Sequence, residues 1–438
     1  MHIITIQDSF EAVISDVSAG IVLSELFWIA RRRGQNEAQE LHHITVSNNG
    51  SVEFSGSVQF ERQSSGTYRV AFGNDAYTLV TPVATVKTTS DDVTAVAITS
   101  DGSRLVVGSA SGSIATYDTA TKTPIGLIRH AHLLAVSGVY VFPSDKVVLS
   151  TGDDFLAKLW PMPGTPEASQ AATSDSTTKD FSDGTTKDFS DSATSDDTKI
   201  LVPANTVEAT RTFRHQKKAI TGAVLIGRGR NFATASLDGS VDLWECGSGA
   251  VVSSFRRIAS PEDPAQCLAI GTCDAPVAPQ DRVKGELLFD CDSAALYVGY
   301  ASGTVQQYNI AGHFQTPHRL SLDLLISAIA VCGAWVVVGT SDGRLVMWNP
   351  LTDSQHALEL DTSEPIEHIA AHQQGQSVVV VLSNGPESLL RVTFDAPNFG
   401  YEYLVGLSEL FRVRLVHSNG TTLVVATQDE LAFFGVEK

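Results

Sequence analysis

The amino-acid sequence predicts an all-β protein: a seven-bladed β-propeller preceded by a small β-rich N-terminal domain. Three observations predict it. A hairpin pattern recurs along residues 83–438 with a period of about 42 residues, which is the length of one four-stranded blade. A hydrophobic fraction of 43% is ample for a large core. No segment competes as a helical repeat or a membrane span.

The clearest copy of the hairpin is NFATASLDGSVDLWECG, residues 231–247. In it a Ser/Thr-rich apolar strand runs into a tight turn at Asp238-Gly239, and a second strand ends at Trp244-Glu245. This is the signature of a WD40-type blade. The pattern returns in RLVVGSASGSIATYD, ending at Tyr117, and in KVVLSTGDDFLAKLW, ending at Trp160. It returns again in ALYVGYASGTVQQYN at Tyr308 and WVVVGTSDGRLVMWN at Trp348. Two weaker copies put Leu390 and Phe434 in the aromatic slot. Successive slots lie 43, 84, 64, 40, 42 and 44 residues apart, so two gaps hold insertions and seven units remain. Seven such units closing into a ring leave no long sheet edge exposed.

Residues 1–82 lack the repeat. They alternate like strands in HHITVSNNGSVEFSGSVQF and TYRVAFGNDAYTLV, with turns at Asn49-Gly50 and Gly73-Asn74. The stretch from Leu23 to Arg33 is compatible with a strand or a short helix. Between blades the segment of about 163–206 is of low complexity and contains TTKDFSD at 177–183 and again at 185–191. Seven Asp and one Glu against three Lys give residues 165–199 a net charge of −5, and disorder is the expected state. A second insertion, near 259–290, reads as a loop ending in a strand.

A net charge of −19 and a pI near 4.9 argue against nucleic acid and anionic membrane as partners, because both select basic surfaces. A basic protein partner fits better. The five cysteines, 246, 267, 273, 291 and 332, show no C-x-x-C spacing and read as reduced thiols. No metal site and no cofactor is expected. The beginning of the chain, MHIITIQDSFEAV, has no basic and no apolar leader region, so cytosol and nucleus are the expected locations.

In blades of this kind a His at the start, a Ser or Thr on the second strand, the turn Asp and the Trp of the third strand can join in one buried hydrogen-bond chain. His215, Ser236, Asp238 and Trp244 match all four places, and His132, Ser150, Asp154 and Trp160 nearly do, with Phe155 replacing the usual turn glycine. Asp342 and Trp348 mark a further blade. Ser, His and Asp together resemble a hydrolase triad, but an arrangement that recurs in blade register is a fold device, so no catalytic residue is expected. GRGRN, 227–231, lacks the spacing of a phosphate loop and leads into a strand. Lys217, Lys218, Arg228 and Arg230 read as solvated turn charges. The loops leading into the blades carry Asp91, Asp92, Glu262, Asp263, Asp323, Glu364, Glu367 and Glu409. These are expected to line one face and dock a Lys/Arg-rich surface.

The run IGRGRNFATASLDGSVDLWECGSGAVVSSFRR, 226–257, resembles a middle blade of the proteasomal ATPase-associated factor family, and HLLAVSGVYVFPSDKVVLSTGDDFLAKLW, 132–160, resembles the blade before it. Weaker likeness extends to YVGYASGTVQQYN, SFEAVISDV and GTYRVAFGNDAYTLV. The resemblance implies a WD40 chaperone, active as a monomer, that binds the C-terminal domain of AAA ATPase subunits of the proteasome regulatory-particle base. A scaffold or substrate-receptor propeller in a ubiquitin ligase or in ribosome biogenesis is the alternative.

Overall fold

A computed structural model describes residues 2–32, 38–88, 92–164, 208–273, 287–360, 364–384, 388–407, 415–418, 422–428 and 430–435. Apart from Pro163 and Gly164, the insertion expected to be disordered lies outside the described residues, as do Asp91 and Glu409.

Seven four-stranded antiparallel units follow one another. Blade 1 is built from Val93–Ile98, Arg104–Ser109, Ile114–Asp118 and Pro124–Ile128, and blade 2 from Val136–Val141, Val147–Gly152, Ala157–Pro161 and Arg211–Phe213. Blade 3 comprises Ile220–Ile226, Asn231–Ser236, Val241–Glu245 and Val251–Phe255; blade 4 comprises Ala265–Thr272, Ala294–Tyr300, Thr304–Asn309 and Phe314–Ser321. Blade 5 holds Ile326–Cys332, Trp335–Thr340, Arg344–Asn349 and Ser354–Glu359, and blade 6 holds Ile366–Gln374, Ser377–Asn384, Ser388–Asp395 and Asn398–Leu404. Blade 7 joins Leu415–Ser418, Thr422–Ala426 and Glu430–Gly435 to Ala84–Lys87 from the other end of the propeller. The first strands of successive blades lie side by side, and the series closes where Leu415–Ser418 meets Val93–Ile98. The pairing of Glu430 with Lys87 and Phe433 with Ala84 fastens the ring, so the last blade does not end in an open edge.

The burial pattern explains the composition of the strands. Second and third strands are sandwiched between neighbouring blades, so Asn231–Ser236 and Thr304–Asn309 are buried at every position and read as continuous apolar or small-residue runs. The outermost strand meets solvent on one side, and Ser354–Glu359 alternates accordingly. In the clear hairpins the aromatic slot faces a residue twelve positions earlier: Trp160 opposite Val148, Trp244 opposite Phe232, Trp348 opposite Val336. By that register the slot of blade 6 is Val392, opposite Val380, and not Leu390, which pairs with Leu382.

The N-terminal strands form two groups. Ile3–Ile6, Ser24–Arg32, Glu40–Asn48 and Val52–Gly56 make one antiparallel sheet, so the stretch left open between strand and helix is a strand over Ser24–Arg32. A helix at Phe10–Ser18, which the strand-like reading of this region overlooked, packs onto it with Phe10, Val13, Ile14 and Val17 buried. Those positions, i, i+3, i+4 and i+7, are one helical stripe, and the whole element is only nine residues long. Gln59–Ser64, Thr67–Phe72 and Asp75–Val80 extend blade 6: Leu79 and Val80 pair in parallel with Tyr403 and Leu404 and complete a seven-stranded sheet. One apolar cluster runs from Phe10 and Phe27 through Tyr68 to Val380 and Tyr403.

Candidate functional site

The turn between the second and third strands of a blade abuts the loop leading into the next blade, and together they build one face of the ring. Glycine makes the approach possible. A Cβ on Gly112 would lie 2.3 Å from the His132 carbonyl, one on Gly239 2.7 Å from the Pro261 carbonyl, and one on Gly303 2.6 Å from the Leu324 amide. All three adopt positive φ, at 78°, 82° and 84°. Asp154 and Asp238 sit in these turns, and Glu262, Asp263 and Asp323 in the loops that abut them, whereas Trp160, Trp244 and Trp348 lie toward the opposite end of their hairpins.

In blade 2 the hydrogen-bond chain is complete. His132 Nδ1 lies 2.8 Å from Asp154 Oδ1, His132 Nε2 lies 2.7 Å from Ser150 Oγ, and the Trp160 indole N–H donates to Ser150 Oγ at 2.9 Å. Burial pushes the His132 imidazole below its ordinary pKa, against the opposing pull of Asp154. Asp154 also accepts the backbone N–H of Leu133 at 3.1 Å and of Leu156 at 3.3 Å. The order Asp, His, Ser has the connectivity of a hydrolase triad, but His132 is 1% exposed and Ser150 is wholly buried, so the hydroxyl cannot meet a substrate.

Blade 3 corrects the expected chain His215, Ser236, Asp238, Trp244. Trp244 donates to Thr234 Oγ1 at 2.9 Å, and Ser236 Oγ instead donates to the Lys218 carbonyl at 3.2 Å. Ten residues separate hydroxyl and Trp in blade 2, and the same interval from Trp244 reaches Thr234. Eighteen residues separate His132 from Ser150, and that interval from Thr234 reaches Gln216. Gln216 is indeed the buried residue, with its amide donating to the Thr234 carbonyl at 3.0 Å. His215, displaced by one position, turns outward and pairs with the wholly buried Asp242 at 2.8 Å. Asp238 keeps to its turn, accepting the Lys217 amide at 2.7 Å and the Ser240 amide at 2.8 Å. Burial would raise its carboxyl, but those hydrogen bonds hold it below the usual range. In blade 5 the position ten before Trp348 is Val338, so the indole donates to Asp353 at 3.2 Å and Asp342 stays with Thr340 and Arg344.

The acidic rim is less uniform than its sequence. Glu262 and Asp323 are exposed; Asp92, Glu364 and Glu367 are half-buried, with Glu367 inside a strand. Asp263 is not available to a partner: it is buried, bound to Arg257 Nη1 at 2.6 Å and to the Ser302 amide at 3.1 Å. The loops leading into blades 2 and 3 break the acidic series with exposed Arg129, Arg214, Lys217 and Lys218. Arg228 and Arg230 do not join Lys217 and Lys218. They lie in the turn between the first two strands of blade 3, where Arg228 pairs with Asp290 at 3.2 Å and Arg230 stacks 3.4 Å from the Phe289 ring centroid. No group of metal-ligating side chains is found among the described residues. No helix among the described residues is long and apolar enough to cross a membrane.

The WD domain, G-beta repeat family matches residues 80–118, which hold the fastening strand and the first three strands of blade 1. Across 355 residues the chain is 22% identical to the 26S proteasome regulatory subunit RPN14 of Saccharomyces cerevisiae, covering 78% of this chain and 74% of that protein. The chain is therefore a propeller of the WD40 type, a fold that supports a protein-interaction role, and it is distantly similar to a proteasome regulatory subunit.

Proposed function

We propose that the chain is a non-enzymatic assembly chaperone that binds the C-terminal domain of one or more AAA ATPase subunits of the proteasome regulatory-particle base. The carrying observation is the similarity to a 26S proteasome regulatory subunit over most of both chains. The exposed carboxylates Glu262 and Asp323 on the turn face support it, since long-range attraction would steer a basic domain toward that face. The sealed position of Ser150 supports a role without catalysis.

The test is calorimetric titration of the full chain with each recombinant ATPase C-terminal domain at low and at high salt. At least one domain binds, its affinity drops about tenfold or more as salt rises, and Glu262→Lys with Asp323→Lys weakens it further. Failure of every domain to bind, or binding indifferent to salt and to both substitutions, overturns the reading.

A further inference from the structure

We propose that the turn face of blade 2 is a docking site for an acidic segment of a partner protein that also carries large apolar side chains, with the Phe155 ring as anchor. The reasoning starts from the backbone. Phe155 occupies the turn position that Gly112, Gly239 and Gly303 hold in blades 1, 3 and 4, and it does so at φ +67°. A bulky L residue disfavours that conformation, and such outliers concentrate where function retains them. Packing does not enclose it, since the residue is 43% exposed.

The neighbours of the ring make a patch. Leu133 and Leu134 are 85% and 55% exposed, large values for leucine on a rigid loop. The two segments are tied side by side: the Leu133 amide donates to Asp154, and the Asp153 amide donates to the Ala135 carbonyl at 3.0 Å. The next lead-in loop adds exposed Arg214, Lys217 and Lys218. Arg214 stands near enough to Lys158, on the third strand of blade 2, to help depress its ammonium after burial has done so. Asp153 is an exposed carboxylate within the patch, but the local balance is basic in a chain whose net charge is −19.

Charge and shape select the occupant. The whole-chain field repels a nucleic acid or an anionic bilayer, which need extended basic surfaces. A short peptide segment needs only a few cations beside an apolar anchor, and three apolar side chains next to three cations fit alternating carboxylates and large apolar groups. This site is the sector of the same turn face where blades 2 and 3 interrupt the acidic series, and it does not depend on the chaperone reading.

The test uses the full chain and three fluorescein-labelled synthetic peptides: one alternating Glu with Leu and Phe, one with Lys in place of Glu, and one with Ser in place of Leu and Phe. Anisotropy should show binding of the first peptide only, weakening with salt. Phe155→Gly should lower its affinity about tenfold or more while the melting temperature stays or rises, and Lys217→Glu with Lys218→Glu should lower affinity and flatten the salt dependence. The proposal is overturned if the Glu peptide does not bind, if the Lys peptide binds equally well, or if Phe155→Gly binds like the wild type. A lower melting temperature for Phe155→Gly would also overturn it, since the ring would then be a packing element.

Discussion

Blades 2 and 3 present nearly the same polar residues to the turn face and use them differently. In blade 2 His132 points inward and links Asp154 to Ser150, whereas in blade 3 Gln216 takes the inward place and His215 faces out, half-exposed, onto Asp242. The third strands differ in step: two residues before the Trp, blade 2 has Lys158, which donates to the Ala131 carbonyl at 2.5 Å, and blade 3 has Asp242. The lesson is that the hydroxyl and the Trp are the shared elements, while the residue bridging toward the turn is exchangeable provided it can satisfy buried polar atoms.

The largest effect expected from this comparison is at Asp154. All its recorded partners are donors, namely His132 Nδ1 and the amides of Leu133 and Leu156, so Asp154→Asn aims an amide N–H at another N–H. It should cost about 3 kcal/mol, read by denaturant unfolding. An unchanged midpoint would show that the chain in blade 2 contributes little. The turn residues come next. Gly239→Ala should cost about 2 kcal/mol, through positive φ and contact with the Pro261 carbonyl, whereas Phe155→Gly in blade 2 should gain about 1 kcal/mol. If both substitutions destabilise equally, the two turns are not equivalent positions.

Asp242 supplies the contrast to Asp154. Its Oδ2 meets His215 and its Oδ1 has no partner among the described residues, so an amide can keep the His215 contact without opposing a donor. Asp242→Asn should therefore change stability by less than about 0.5 kcal/mol, in line with the small net benefit of buried ionic groups. The finest distinction is in pH. Since the folded state holds the His132 pKa below its unfolded value of about 6.5, the unfolded chain binds the proton more readily, and the stability contribution present above that value is lost as pH falls below it. His132→Gln, which installs the residue type of blade 3, should reduce the loss of melting temperature between about pH 7 and about pH 5.5. The half-buried His313 and His372, whose pKa values are also lowered by burial, contribute equally to both proteins and cancel in the difference.

Much of this architecture was legible from spacing. The recurring hairpin located the second strands of blades 1 to 5 because a strand buried on both faces favours apolar or small residues over several consecutive positions. The helix at Phe10–Ser18 was missed because nine residues give barely two turns of periodicity, and the flanking strands dominate the pattern. The site was legible only in part. Thr234 and Gln216 could have been found by carrying the intervals of blade 2 onto Trp244, but residue type favoured the neighbouring Ser236 and His215. Asp263 looked like any other rim carboxylate until Arg257 and Ser302 were seen to enclose it.

The linear chain by itself determined the number of blades, the aromatic slots of blades 1 to 5 and the overall negative charge, because each depends on periodicity or on a sum over residues. Tertiary structure alone decided that Ala84–Lys87 fastens the ring, that His132 turns in while His215 turns out, and which charges remain open to solvent. The physical reason is that pairing and burial are set by groups far apart in the chain, and a side chain's role follows from the donor, acceptor or countercharge it meets there.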